Sequence, residues 1–341
     1  MLAAQLTGVR EIIVGEVAEP AAPARGEVLV QVEAVGICGS DVHNYAEGGI
    51  GSRKVEYPFI LGHEAAGTIL AVGEGVLDRP VGARVMIEPA MHCGDCDQCR
   101  AGRFNTCRQV QFLSSAGERQ GCMCERIVIP AGNAIVVDAA TPFEMVALAE
   151  PLSVAVHSVR NSIAIESRLP IAVLGAGPIG LCTLVTLQQA GADRVYVSDP
   201  IVARSEMARK LGAYWSGMPA ALEDQAPLGM AAVFECSGQP DGLDQAVELL
   251  APGGKLVITG IPEGNRVSMD ISQLRRKEIS IFNVRRQNQC AEVALEMITS
   301  GAVAVAPLIT HRYSLRETAE AFELVAGYRD GVIKAMIEVG R

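Results

Sequence analysis

Four cysteines fall within fifteen residues, in the stretch "CGDCDQCRAGRFNTC" from Cys93 to Cys107. Cys93, Cys96, Cys99 and Cys107 are spaced C-x2-C-x2-C-x7-C, so one compact loop can turn all four thiolates onto a single ion. Four thiolates complete a tetrahedral zinc shell and leave no position for substrate, which is the chemistry of a structural site. The bacterial ferredoxin run that binds an iron–sulfur cluster has three residues before its last cysteine and a proline after it. Here seven intervene and Arg108 follows, so zinc fits better than a cluster. A closed shell is scaffolding, and any catalysis has to come from other residues.

Upstream, "VGICGSDVH" brings Cys38, Ser40, Asp41 and His43 to one loop. "FILGHEAAG" supplies His63 and Glu64, and "LAEPLSV" supplies Glu150. Thiolate, imidazole and carboxylate from three separated segments form a mixed zinc set with room for a water or a substrate oxygen. Each member also has an ordinary role open to it: Cys38 as a small core residue, His63 as a turn residue, Glu150 as an acid at a helix N-terminus.

The second half of the chain carries a different chemistry. "IAVLGAGPIG" is a β-branched run leading into Gly175-x-Gly177-x-x-Gly180, followed by a helical stretch, "LCTLVTLQQAG", and a second strand, "RVYVSD". Gly175 permits the tight turn, Gly177 lets a pyrophosphate approach the backbone, and Gly180 lets helix and strand pack closely. Pro178 and Ile179 open the helix whose N-terminal N–H groups would face the phosphates. Asp199 ends the next strand, nineteen residues after Gly180, where a carboxylate accepts from ribose hydroxyls and repels a 2′-phosphate. That favours NAD over NADP, although a turn aspartate before Pro200 is the plainer reading. Arg204 either stacks on the adenine or is an ordinary exposed helix residue.

The elements that must position these groups are legible in outline. "EVLVQVEAVG" alternates, with Val28, Val30, Val32 and Ala34 on one face of a strand that delivers Cys38. "AAVFECSG", "GGKLVITG" and "EISIFNV" continue the α/β alternation to a doubly wound sheet ending near residue 284. With 341 residues, about two domains are expected. Apolar residues make up 49% and charged ones 20%, as in a compact soluble protein. A net charge of −10 excludes the basic footprint that nucleic acid or an anionic membrane requires. The uncharged run from Leu169 to Ala192 imitates a membrane span, but Pro170, Gly175, Gly177, Pro178 and Gly180 interrupt it. Arg10 and Glu11 fall where a secretory leader would be apolar, which points to the cytoplasm. Ten cysteines there stay reduced, and Cys122, Cys124, Cys182, Cys236 and Cys290 read as packing residues.

Taken in order, "GICGSDVH", "LGHEAAG", "CGDCDQCRAGRFNTC", "AEPLSV" and "VLGAGPIG" resemble the zinc-containing medium-chain dehydrogenases, in particular their sorbitol, xylitol and polyol branch. The resemblance runs essentially end to end. It implies an α/β protein with a GroES-like β-rich catalytic domain, residues 1–151 and 285–341, carrying the structural zinc lobe at about 90–110. A doubly wound Rossmann NAD-binding domain, residues 152–284, is inserted between the two segments. Cys38 and His63 match the family's catalytic-zinc ligands. Glu64 and Glu150 both belong at that site, and which of them binds the metal stays open. Asp41 resembles the carboxylate that orients the histidine ligand, and Ser40 and His43 match the proton relay. Two zinc ions per chain, NAD, a small-molecule alcohol and a homo-oligomer, dimer or tetramer, complete what the resemblance implies.

Two positions depart from the polyol pattern. Arg285 and Arg286 stand in "FNVRRQNQ" near where that branch carries an Arg-Tyr pair facing the substrate, so Arg286 is one departure, and Asn44, where an aromatic residue often follows the histidine, is the other. A second guanidinium can grip a carboxylate or phosphate in bidentate fashion, or simply be an exposed or inter-subunit arginine. A neutral polyol leads, with an anionic sugar derivative second. Two rival classes are a dinucleotide-binding structural protein and a zinc-ribbon interaction module. Counting zinc released on mild thiol blocking separates them: two ions per chain are expected of the enzyme and one of either rival.

Overall fold

The computed structural model describes residues 1–137, 140–165, 168–262 and 266–340. Contacts divide the chain into two compact units. The first comprises Met1–Glu150, Ala294–Ser300 and Ile309–Arg341, and the second Pro151–Val293 and Gly301–Leu308. Residues 285–293 therefore pack with the second unit.

The first unit is built on a seven-stranded sheet. Its order is Ala134–Val136, Arg84–Ile87, Glu64–Val72, Glu27–Gly36, Lys334–Glu338, Ile309–Ser314, with Arg126–Pro130 also pairing with Glu27–Gly36. Alternation in the central strand works as expected, with Val28, Val30, Val32 and Ala34 all buried. The three valines share a core with Leu6, Ile69, Leu61 and Ile129. Antiparallel register sets up the chemistry, because Gly36 pairs with Glu64 on one side and with Met336 on the other. Residues just past the first pairing, Cys38 and His63, are thereby brought to the same end of the sheet.

The second unit holds six parallel strands in the order Trp215–Gly217, Val195–Ser198, Ile171–Leu174, Met230–Glu235, Leu250–Ile258, Ser280–Asn283. Numbered along the chain this is 3-2-1-4-5-6, the Rossmann order, so the α/β assignment and the two fold types hold. The uncharged run resolves into the strand Ile171–Leu174, a glycine turn and the helix Pro178–Gln189. Among the described residues no helix is long and apolar enough to cross a membrane.

Gly180 shows why the turn needs glycine. A Cβ there would lie 1.8 Å from the carbonyl oxygen of Gly175. Neither backbone can yield without opening the helix–strand contact, so Gly180→Ala is expected to cost about 2 kcal/mol or more. A denaturant midpoint equal to that of the unaltered protein would refute this.

Candidate active site

The four thiols of the 93–107 loop converge. Their Sγ separations are 3.5 Å for Cys93–Cys107, 3.6 Å for Cys96–Cys99, 3.9 Å for Cys96–Cys107 and 4.0 Å for Cys93–Cys99. A tetrahedron with Zn–S bonds of about 2.3 Å has S···S edges of about 3.8 Å, whereas a disulfide would need about 2.05 Å. The loop is already shaped for zinc. Backbone N–H groups of Arg108 and Cys99 pull the Cys96 thiol down to about 6, and a bond to Asp95 pushes Cys93 up to about 12. Arg108 closes the lobe with a paired contact to Asp97, at 2.5 and 2.8 Å.

The mixed set is arranged differently. Cys38 precedes the helix Gly39–Glu47, whose first turn carries Ser40 and Asp41. Ser40 Oγ donates to Cys38 Sγ at 3.4 Å. Asp41 has no exposed surface. Its Oδ1 accepts from Ser114 Oγ at 2.6 Å and from the Gly62 N–H at 3.3 Å, and its Oδ2 from the Cys38 N–H at 3.3 Å. His63 Nδ1 lies 3.3 Å from the same Oδ1. Burial alone would raise the Asp41 pKa, but the nearby charge of His63 and the bonds from Ser114 and Gly62 outweigh it and hold it low.

Glu64 is engaged in an ion pair. Lys334 Nζ donates to its two oxygens at 2.7 and 2.6 Å and to the carbonyl of Ile37 at 3.0 Å, and both side chains of the pair are 1% exposed. Gly36 makes room for it, since a Cβ there would fall 2.1 Å from Glu64 Oε2. Glu150, in the first turn of the helix Ala149–Ser162, is also buried. Burial above all pushes its carboxyl up to about 8; His63 and Lys334 oppose this, while Glu64 and Glu88 add to it. Among the described residues, only the four thiols bring three or more ligand atoms within 4.8 Å of one another. Cys38, Ser40, Asp41 and His63 are thus gathered, Glu150 faces His63, and Glu64 stands one ion pair away.

This array suits a cation. Burial disfavours a charged His63, yet Asp41 and Cys38 carry its pKa well above the ordinary value. Glu64, Glu88, His63 and Lys334 all act on Glu150, and Asp41 lies beside His63, so carboxyls gather around the imidazole. His63 Nδ1 is itself a buried atom without a well-formed hydrogen bond. Thiol, imidazole and carboxylate donors fit zinc.

His43 lies on the same helix as Ser40, three residues on, with Nδ1 2.8 Å from Glu47 Oε1. Asn44, which the pattern marks as a departure, is buried and donates to the carbonyl of Ser114 at 3.3 Å. It is a brace.

In the second unit the glycine turn, Asp199 and Arg204 come together. Gly175 adopts φ 92°, and a Cβ there would meet the backbone of Ser237 at 3.0 Å. Gly177 caps the helix with no side-chain bond, and Pro178 starts it, so the first N–H groups of Ile179 and its neighbours are left for a ligand. Asp199 accepts from the Ala176 N–H and the Ile201 N–H, each at 2.8 Å. Arg204 Nη1 lies 3.8 Å from the place of a Gly177 Cβ, beside the turn. Arg285 is exposed, and Arg286 is half-buried with a left-handed backbone, φ 52°.

Three contributors have no motif: Lys334, Ser114 and Glu235. Glu235 Oε1 accepts from the N–H groups of Ser237 and Gly238 and from the Ser237 hydroxyl, at 2.7, 2.9 and 2.5 Å, and so shapes the loop against Gly175. Only the place of Lys334 and Glu235 at strand ends could have flagged them, and nothing flags Ser114.

Residues 24–139 match the alcohol dehydrogenase GroES-like domain and residues 178–300 the zinc-binding dehydrogenase domain. A sorbitol dehydrogenase from Bacillus subtilis is 35% identical over 92% of this chain and 91% of its own length. The chain belongs to the zinc-containing medium-chain dehydrogenases. Its likeness to the polyol branch of that family holds. Among solved structures, a zinc-binding dehydrogenase from Sinorhizobium meliloti bound to NADP is 29% identical to this dehydrogenase. Its TM-score is 0.90, over 99% of each chain. L-idonate 5-dehydrogenase from Escherichia coli has a TM-score of 0.92 at 25% identity, over 99% of this chain and 98% of that one. The dehydrogenase carries out zinc-dependent alcohol oxidoreduction with a nucleotide cofactor.

Removing the cation from the buried pair is expected to be costly. Lys334→Met strands the Glu64 carboxylate and should lower the stability of the metal-free dehydrogenase by about 3–5 kcal/mol in urea unfolding. Adding Glu64→Gln to it should restore most of the loss. A cost below about 1 kcal/mol, the range of an exposed pair, would contradict the pairing.

Proposed function

We propose that the protein oxidises a secondary hydroxyl of a neutral polyol to a ketone with NAD, in the cytoplasm, as a homodimer or homotetramer. The gathering of Cys38, Ser40, Asp41 and His63 at one sheet end carries this reading. In it, residues 1–151 and 285–341 serve catalysis and residues 152–284 bind the dinucleotide. Cys38, His63 and one of Glu64 and Glu150 hold the catalytic zinc, and Cys93, Cys96, Cys99 and Cys107 hold the structural one. Held there, zinc would supply Lewis acidity for a substrate hydroxyl and NAD a hydride acceptor.

The chain's own groups do the rest. Asp41 fixes the ring of His63 and the nitrogen that carries its proton. Ser40, whose hydroxyl already lies beside the Cys38 sulfur, takes the substrate proton. His43, tethered by Glu47, passes it on towards solvent. Gly175, Gly177, Pro178, Ile179 and Gly180 cradle the pyrophosphate. Asp199 faces the adenosine ribose and supports NAD, and the relative bound to NADP marks the alternative. Arg204 stands where it can neutralise phosphate.

An anionic sugar is the second reading, favoured by the left-handed backbone of Arg286, since strained positions of this kind concentrate at ligand sites. The likeness to an L-idonate dehydrogenase points the same way. Initial rates of NAD and NADP reduction across neutral polyols, sugar acids and sugar phosphates decide. Turnover of polyols with NAD is expected. Asp199→Ala should narrow the preference for NAD by about 10- to 100-fold, the worth of a charge-assisted hydrogen bond. Activity confined to anionic sugars would make Arg285 and Arg286 recognition residues, and an NADP preference in the unaltered protein would overturn the role of Asp199.

A further inference from the structure

We propose that Ser114 is a positioning residue for the catalytic metal, acting through Asp41; this rests on the assignment of Cys38 and His63 as metal ligands. Its hydrogen bonds run to their neighbours instead. It lies in the loop after the strand Gln111–Phe112 and is 5% exposed. Yet it joins the two segments that carry the metal set. Its hydroxyl donates to Asp41 Oδ1 at 2.6 Å and accepts from the Gly62 N–H, the residue before His63, at 3.0 Å. Its carbonyl accepts from Asn44, on the helix that carries Ser40, Asp41 and His43, at 3.3 Å.

The oxygen that Ser114 holds is the one nearest to His63 Nδ1. A carboxylate paired with a metal-binding histidine sets the ring's orientation and its tautomer, and does so only if its own rotation is fixed. Asp41 has no exposed surface, so water cannot replace a donor that is removed. Without the hydroxyl, Oδ1 keeps only the longer Gly62 bond, at 3.3 Å, to hold it towards the histidine.

The backbone gives an independent sign. Ser114 has φ 61°, the left-handed region that glycine occupies without steric cost. A residue with a side chain persists there where the surrounding structure holds it. Serine at this position meets that condition through its hydroxyl.

The unaltered full-length protein, Ser114→Gly and Ser114→Ala are to be loaded with zinc, and separately with cobalt. Zinc per chain, the rate of zinc loss to a chelator, and the visible absorption of bound cobalt are then read. Glycine suits the backbone angle, so a purely structural role predicts that Ser114→Gly matches or exceeds the unaltered protein in all three. The positioning role predicts that both variants keep the zinc of the Cys93–Cys107 loop and hold the second ion about tenfold or more weakly. Their cobalt bands should shift. Unchanged affinity and bands in Ser114→Gly would overturn the role of Ser114 alone. One zinc per chain in the unaltered protein, with cobalt bands insensitive to Cys38→Ser, would overturn the metal assignment and this proposal with it.

Discussion

Asp41 sits where water does not reach, and an ionised carboxylate in such a place must be supplied with donors by the protein itself. Its donors come from the backbone of Cys38 and Gly62 and from the hydroxyl of Ser114, with His63 alongside. Those groups belong to a helix start, a strand start and a loop that are far apart along the chain. Satisfying one buried charge therefore forces three segments into one arrangement, and the thiol and imidazole are aligned as a consequence. Register in the sheet brings them near; the carboxylate fixes how they face.

The second unit uses the same device twice. Asp199 ties the end of its strand to the Ala176 N–H inside the glycine turn, and Glu235 gathers the loop that meets Gly175. Buried carboxylates at the carboxyl ends of parallel strands hold backbone N–H groups in fixed directions. In both units a costly buried charge is retained where geometry has to be definite, and apolar packing fills in elsewhere.

What the sequence reveals follows from the range of each interaction. The cysteine loop and the glycine turn are local: spacing over a few residues dictates which atoms meet, so ligand geometry and turn chemistry can be read directly. Alternation in Glu27–Gly36 exposes its buried face for the same reason. Partners such as Ser114 for Asp41, 73 residues away, or Lys334 for Glu64, 270 residues away, leave no periodic trace. Glu64 is the instructive case. The pairing of histidine and glutamate in "GHE" marks both residues, yet the direction of the carboxylate is set by a lysine that nothing nearby announces. Asn44 and Arg286 depart from the polyol pattern equally in sequence, and only their surroundings separate a brace for Ser114 from a residue held in a strained conformation.

The strand Lys334–Glu338 lies between Glu27–Gly36 and Ile309–Ser314 in the first sheet and carries the cation for Glu64. On a ribosome adding about 5–20 residues per second, the 270 positions from glutamate to lysine take roughly 15–50 s to make. Once residue 283 has been made the parallel sheet has every strand it needs, while the first sheet still lacks Ile309–Ser314 and Lys334–Glu338. Synthesis thus orders assembly: the parallel sheet of the second unit can close on the nascent chain, and the first unit waits for its last strand. Until then Glu64 lacks the cation that it pairs with in the folded chain.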